Sequence, residues 1–250
     1  MKRFTTSLAA LLLAQGASAQ SSLGVQGTEL RFGAFQDEAG IAQTQTSMKI
    51  DVAVTGAHGL QGDVIFEDTN YGLIGGLGAH LYLKPNEHHK YGVFATLADV
   101  DGRSMSWFSL GAEGIVGISD NLLFEGRTGL GVSDVGGLDY IYADGTFAWS
   151  IDDSMIVETH LSVAEFEEAS FQAISYNAGV TLEYSATGSP WGAYTSLSYS
   201  GLAGRNSQQG EARFGFGISV SLGGIGGVSP NSRLFRSLDP IAPLIRRDLW

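Results

Sequence analysis

The sequence predicts an all-β chain, an antiparallel up-and-down transmembrane β-barrel of about twelve strands. Three observations carry this. Apolar residues recur at every second position along most of the chain. One of the two side-chain faces so defined is free of charge. No apolar stretch beyond the first twenty residues is long enough to cross a bilayer as a helix, so a membrane-spanning chain of this composition must close into a barrel to satisfy its backbone.

The N-terminus predicts export. Lys2 and Arg3 precede the apolar run Leu8–Ala14, and Ala17-Ser18-Ala19 supplies a small-x-small cleavage pattern, placing cleavage before Gln20. The run is too short for a spanning helix, which needs about 20 apolar residues. The chain therefore divides into a signal peptide over 1–19, a barrel over 20–222 and a basic C-terminal tail over 223–250.

The alternation is clearest in three segments. Phe108, Leu110, Ala112, Gly114 and Val116 share one face; Leu122, Phe124, Gly126, Thr128, Leu130 and Val132 share another; Ala212, Phe214, Phe216, Ile218, Val220 and Leu222 form a third. A helix would instead group apolar residues at i, i+3 and i+4. The same period gives strands at 28–36, 47–55, 59–67, 71–84, 90–98, 104–118, 121–133, 138–151, 154–164, 171–185, 190–200 and 211–222. Between them lie turn formers such as Asp101-Gly102, Ser119-Asp120-Asn121, Asp152-Asp153 and Thr187-Gly188-Ser189-Pro190.

Alternation alone suits a soluble sandwich or barrel as well, with its apolar face inward. Three features favour the inverted arrangement. The apolar face carries no Lys, Arg, Asp or Glu, and an Arg or Lys at mid-bilayer would cost about 2–4 kcal/mol. Aromatic residues gather toward strand ends: Tyr71, Tyr91, Phe124, Trp149, Tyr184, Trp191 and Tyr199. The other face mixes opposite charges with Gly and Ser, as at Glu29 and Arg31, Lys49 and Asp51, and Glu125 and Arg127.

Composition excludes other classes. With no cysteine, a disulfide-stapled scaffold is ruled out. Without Lys2 and Arg3 the basic count falls from 14 to 12 against 26 acidic residues, a net charge of −14 that argues against nucleic acid as a partner. There is no phosphate loop, dinucleotide fingerprint or zinc spacing, and no cofactor is expected.

In this pattern the chain resembles the Gram-negative outer-membrane β-barrel class, including small porin-like proteins. The resemblance covers the signal peptide and residues 28–222 and rests on no family motif. It implies residence in the outer membrane among lipid and lipopolysaccharide, an even strand number and both barrel ends on the periplasmic side. Turns near 56–58, 85–89, 119–121, 152–153 and 186–189 would then be periplasmic. Loops near 37–46, 68–70, 99–103, 134–137, 165–170 and 201–210 would face outward. One departure is the end of the chain. Barrels of this class usually finish on an aromatic residue of the last strand, whereas here some 28 residues follow Leu222. The tail opens with Gly223-Gly224-Ile225-Gly226-Gly227, carries Arg233, Arg236, Arg246 and Arg247 against Asp239 and Asp248, and includes Pro240 and Pro243, which disfavour a strand. It is expected on the periplasmic side as a partner-contact segment, a plug, a recognition element or a disordered end.

The lumen-lining candidates are Glu29, Arg31, Lys49, Asp51, Asp63, His80, Glu113, Glu125, Arg127, Glu158, His160, Glu183 and Arg213, with Glu67, Lys84 and Asp144 beside them. They would line a polar passage for small solutes, its acidic excess favouring cations, or would fill a narrow barrel with salt bridges. Twelve strands lie between packed eight-stranded and open sixteen-stranded barrels, so strand number leaves both readings open.

Other constellations carry less. His160 and Ser162 share the inward face with Glu158, and the His-x-Ser order resembles the catalytic pair of an outer-membrane lipid A deacylase. The asparagine that follows in that family is replaced by Val163, so a lipid hydrolase is the alternative function. An adhesion barrel is a third, weakened by short loops. Glu87-His88-His89 falls in a turn, where neighbouring histidines point apart. Asp99, Asp101 and Gly102 form only a fragment of a calcium loop. Glu165, Glu167 and Glu168 make an acidic outer loop suited to divalent cations that bridge lipopolysaccharide. No catalytic or metal site is assigned.

Overall fold

The computed structural model describes residues 24–103, 105–134, 139–167, 171–236, 239–246 and 248. The expected signal peptide lies outside the described residues. Twelve strands follow in order: β1 (Val25–Asp37), β2 (Ala42–Ala53), β3 (His58–Thr69), β4 (Gly72–Asn86), β5 (His89–Val100), β6 (Ser106–Ser119), β7 (Leu122–Ser133), β8 (Asp139–Ser150), β9 (Met155–Glu167), β10 (Gln172–Ser185), β11 (Trp191–Ala203) and β12 (Gln208–Gly223). Each pairs antiparallel with its neighbours in sequence, and β1 closes the sheet on β12 from Gly27↔Gly223 to Asp37↔Arg213. The fold is thus the expected all-β up-and-down barrel, with no free sheet edge.

Eight of the twelve strands end one to three residues beyond the predicted spans, seven begin one or two residues inside them, and β2 begins five residues earlier than predicted, at Ala42. They run from 12 to 16 residues. Twelve residues at ~3.3 Å each make ~40 Å, which a tilt of ~40° reduces to about the height of a bilayer's hydrocarbon. Connections alternate between two rims. One rim holds the start of β1, the end of β12 and the turns around 56, 87, 120, 152 and 188; the other holds the loops around 39, 70, 102 and 205, the ends of β7 and β9 and the starts of β8 and β10.

The outward face is the apolar one. Leu77, Leu161 and Phe216 are 58%, 56% and 61% exposed, whereas Lys49, Glu113 and Arg127 are buried. A water-soluble barrel would reverse this distribution. The expectation of a charge-free apolar face needs one correction: among the described residues the outward face carries acidic side chains near strand ends, at Asp68, Asp99, Asp139, Glu165 and Glu167, and Asp139 lies within a predicted strand. Exposed Tyr91, Trp149, Tyr184 and Trp191 mark the rim that holds the barrel's two ends, and Tyr199 lies toward the opposite rim. These amphipathic rings suit the boundary between hydrocarbon and headgroups. Among the described residues no helix is long and apolar enough to cross a membrane.

The sequence leaves the tail between a periplasmic segment and a plug. Its described residues run back through the inside of the barrel, which corrects the periplasmic placement and agrees with the plug. At the end of β12 the chain reverses at Gly223, whose φ of +86° suits glycine and where a Cβ would stand 2.3 Å from the Gln26 carbonyl oxygen. Val228 and Phe235 then join Tyr82, Ile115, Leu123, Ala148 and Ile156, a cluster near the rim of the barrel ends. Ile241, Ala242, Leu244 and Ile245 pack with Phe94, Trp107, Tyr140, Tyr142 and Phe166 toward the opposite rim. There Asp248 pairs with Arg103 of the β5–β6 loop at 2.7 Å. The tail therefore threads the barrel from one rim to the other. Pro243 is accommodated in the first turn of a single helical turn, α1 (Ala242–Ile245), where its missing N–H costs nothing. Arg247 and Trp250 lie outside the described residues.

Candidate functional site: the barrel interior and its occupant

Every second residue of each strand points inward, and this period brings the predicted charges together. Lys49 Nζ lies 3.3 Å from Asp63, Asp63 lies 3.2 Å from His80 Nε2, and His80 Nδ1 lies 2.8 Å from Glu113. This relay crosses β2, β3, β4 and β6. Asp51 accepts the Tyr82 hydroxyl proton in a short hydrogen bond. Arg127 donates to the Tyr142 hydroxyl at 3.0 Å and lies 3.8 Å over the Phe94 ring, and the inward-facing Asp144 is its register partner on β8.

A second group gathers around the tail. Glu29, Glu158 and Glu183 come from β1, β9 and β10, and the wall offers them Arg31, which contacts Glu29 at 3.1 Å and also bonds Glu183. The tail adds two guanidinium groups. Arg233 pairs with Glu158, and Arg236 reaches Glu29 at 2.9 Å, Glu183 at 3.2 Å and Glu158 at 3.7 Å. Its backbone N–H also donates to Glu125 at 2.6 Å. Three buried carboxylates thus face three guanidinium groups, two of them supplied by the tail. Toward the other rim Glu67 receives Arg213 from the wall and Arg246 from the tail, each at 2.9 Å.

The wall also reads the tail's main chain. Lys84, Lys90 and Lys49 donate to the carbonyl oxygens of Asn231, Arg233 and Phe235 at 2.8, 2.8 and 2.5 Å. The Gln61 side-chain amide bonds both polar atoms of Phe235, donating to its carbonyl at 3.0 Å and accepting from its N–H at 2.8 Å. The Phe235 ring stacks on His80 at 5.7 Å and 8°, meets Tyr82 edge-on at 6.0 Å, and has Lys90 Nζ 4.5 Å from its centroid. Further along, Asp239 accepts from Trp107 Nε1 at 2.9 Å and from the Ile241 N–H at 2.8 Å.

Two small cavities lie between tail and wall. One cavity of about 10 Å³ touches Ser162, Asn177, Asp239 and Leu244; another of about 30 Å³ touches Glu29, Glu183, Leu234 and Arg236. Each is on the scale of a single water molecule.

The other sequence candidates take less part. Glu158, His160 and Ser162 all face inward, away from lipid. Among the described residues His160 Nε2 has no hydrogen-bond partner, so it is not joined to Ser162. The turn at Glu87-His88 is organised by Asn86, whose side-chain oxygen accepts from the His88 N–H at 2.9 Å and contacts His89 Nδ1 at 2.7 Å. Among the described residues no group of three His, Cys, Asp or Glu side chains could hold a metal. Glu165 and Glu167 end β9 on the outward face, and Glu168 lies outside the described residues. Sequence reading missed Gln61, Tyr82, Lys90 and Phe235. Lys90 opens its predicted strand and Gln61 is uncharged, so neither stood out. The available signal was electrostatic: an acidic excess within the wall and an arginine excess in the tail.

No family model matches this chain, and no curated protein matches it by sequence. Solved structures match its fold. The NanC porin superposes with a TM-score of 0.57 at 12% identity, over 77% of this chain and 98% of that one. The KdgM porin in complex with disordered oligogalacturonate gives 0.54 at 12% identity, over 77% and 98%. An outer-membrane channel from Pseudomonas putida F1 gives 0.54 at 10% identity, over 80% and 96%. The chain has the fold of the Gram-negative outer-membrane porin-like barrels.

Proposed function

We propose that this protein is a non-enzymatic outer-membrane channel of the porin-like kind, exported by a cleaved signal peptide, whose passage is filled here by its own C-terminal segment. The observation that carries the reading is the pairing of a closed twelve-strand wall, apolar outside, with an interior of buried opposite charges. Desolvating charges is costly unless they are paired, and part of the pairing here comes from a separate segment, the tail, that occupies the passage. The similar folds of three channels support the same reading. One of them, the KdgM porin, was solved with oligogalacturonate; here the carboxylates of Glu29, Glu158 and Glu183 favour small cations and cationic solutes instead.

Planar-bilayer recording of the full chain and of its Arg236→Ala variant tests this. Discrete cation-preferring steps are expected, with a larger open fraction in the variant, where Glu29 and Glu183 lose a tail partner. Absence of steps from both chains at every voltage overturns the channel reading.

A further inference from the structure

The contacts between wall and tail are of two kinds that together define recognition. The first is blind to side chains. Lys84, Lys90 and Lys49, from β4, β5 and β2, take the carbonyl oxygens of residues 231, 233 and 235, every second residue along the tail. Gln61 on β3 closes on both polar atoms of Phe235. The second reads identity. Phe235 is boxed by His80, Tyr82 and Lys90, Arg233 meets Glu158, and Arg236 meets Glu29 and Glu183. Main-chain bonds that supply affinity, with side-chain pockets that supply specificity, are the division of labour found where proteins bind peptide segments. Gln61 and Lys90 are fully buried beneath this segment, and Arg233–Arg236 is neither helix nor turn, so its backbone groups are available to the wall.

We propose that this interior wall is a peptide-binding site for a non-helical Arg-x-aromatic-Arg segment, filled in cis by the chain's own residues 231–236 and able to exchange them for the same sequence supplied in trans. The energetics favour exchange over permanent filling. Buried ion pairs repay the desolvation of both partners only narrowly, so the net gain is far smaller than the number of contacts. Ordering Gly223, Gly224, Gly226 and Gly227 costs more backbone entropy than ordering any other residue type, and this opposes docking. The apolar contacts of Ile241–Ile245 lie outside the segment, near the far rim, and retain the tail when 231–236 lets go.

The chain contains no cysteine, so a single Leu234→Cys substitution gives a clean reporter at a buried position of the segment. Full-length Leu234→Cys protein in detergent, its folding confirmed by heat-dependent gel mobility, is treated with a maleimide. The synthetic peptide SPNSRLFR, copying residues 229–236, is added, or the control SPNSALFA. Slow labelling without peptide is expected, with a saturable acceleration of about tenfold or more by SPNSRLFR alone. Adding Glu158→Gln to the reporter should raise the basal rate and blunt the response to peptide. Equal rates with both peptides, or rapid labelling without peptide, overturns the proposal. Should Leu234→Cys fail to fold, saturable binding of fluorescein-labelled SPNSRLFR to the parent protein, with none by labelled SPNSALFA, reads the same exchange, and equal binding of the two overturns it. Labelling requires no conductance, so a chain that passes no current can still bind peptide, and the two readings fail separately.

Discussion

Gln61 and Phe235 stand 174 positions apart, yet the side-chain amide of one satisfies both the N–H and the carbonyl of the other, at 2.8 and 3.0 Å. This is the way a neighbouring strand would pair with Phe235, performed by a single side chain from the wall. The tail therefore does not fill the barrel as loose packing; its backbone is held in register. Lys49 adds a charge-assisted bond to the same carbonyl. That leaves the Phe235 N–H dependent on Gln61 alone among the hydrogen bonds described here.

Gln61→Ala should loosen the tail without opening the barrel wall. A buried N–H deprived of its acceptor costs about 1–3 kcal/mol, while the strand pairing of β3 is unaffected because it uses main-chain groups. Trypsin cleavage at Arg233 and Arg236 reads the undocked population when docking is fast relative to cleavage. Cleavage of the folded variant should be faster than that of the parent by roughly tenfold or more. An unchanged cleavage rate would mean that the two-way hydrogen bond does not hold the tail.

The ion pairs of the tail should differ sharply in strength. Arg236 and Glu29 meet at 2.9 Å in the interior, whereas Arg103 and Asp248 meet at 2.7 Å at the rim, with side chains 30% and 51% exposed. Distance alone would rank the second pair higher. Solvent screening reverses the order, since exposed pairs contribute about 0–1 kcal/mol and interacting buried partners couple by about 0.5–3 kcal/mol. A double-mutant cycle on Arg236→Ala and Glu29→Gln, scored by tail protection, should therefore give clear coupling. The corresponding cycle on Arg103→Ala and Asp248→Asn should give little. Equal coupling in both cycles would count against a buried latch at Arg236.

The barrel was legible from sequence because its two faces alternate strictly: Phe214, Phe216 and Ile218 outward against Arg213, Gly215 and Gly217 describe β12 with no tertiary information. Strand ends were less legible, since polar residues such as Gln208 and Gln209 pair in the sheet beyond the apolar core of the pattern. The tail was least legible. Gly223–Gly227 and three prolines, Pro230, Pro240 and Pro243, mark it as neither strand nor long helix, and nothing local shows where such a segment goes. Its placement is set by partners far away in sequence: Glu158 for Arg233, Glu67 for Arg246, Trp107 for Asp239. Charge complementarity between wall and tail was available in the composition, but pairing individual residues required the closed barrel.

The two faces make opposite demands on the same substitution. Leu161 lies near the middle of β9 on the outward face and is 56% exposed, which in hydrocarbon means contact with lipid tails. Arg at this position should destabilise the barrel by about 2–4 kcal/mol, the cost of a cation at the bilayer midplane. Leu161→Ser tests size and polarity without charge and should cost less. On the adjacent inward position His160→Gln replaces one polar side chain by another in a polar interior, and its effect should be smaller than that of Leu161→Arg. Reversible denaturant unfolding in lipid bilayers measures all three. In detergent, where water reaches the belt more readily, the Leu161→Arg penalty should shrink. A penalty of the same size in detergent and bilayer would contradict a lipid-facing Leu161.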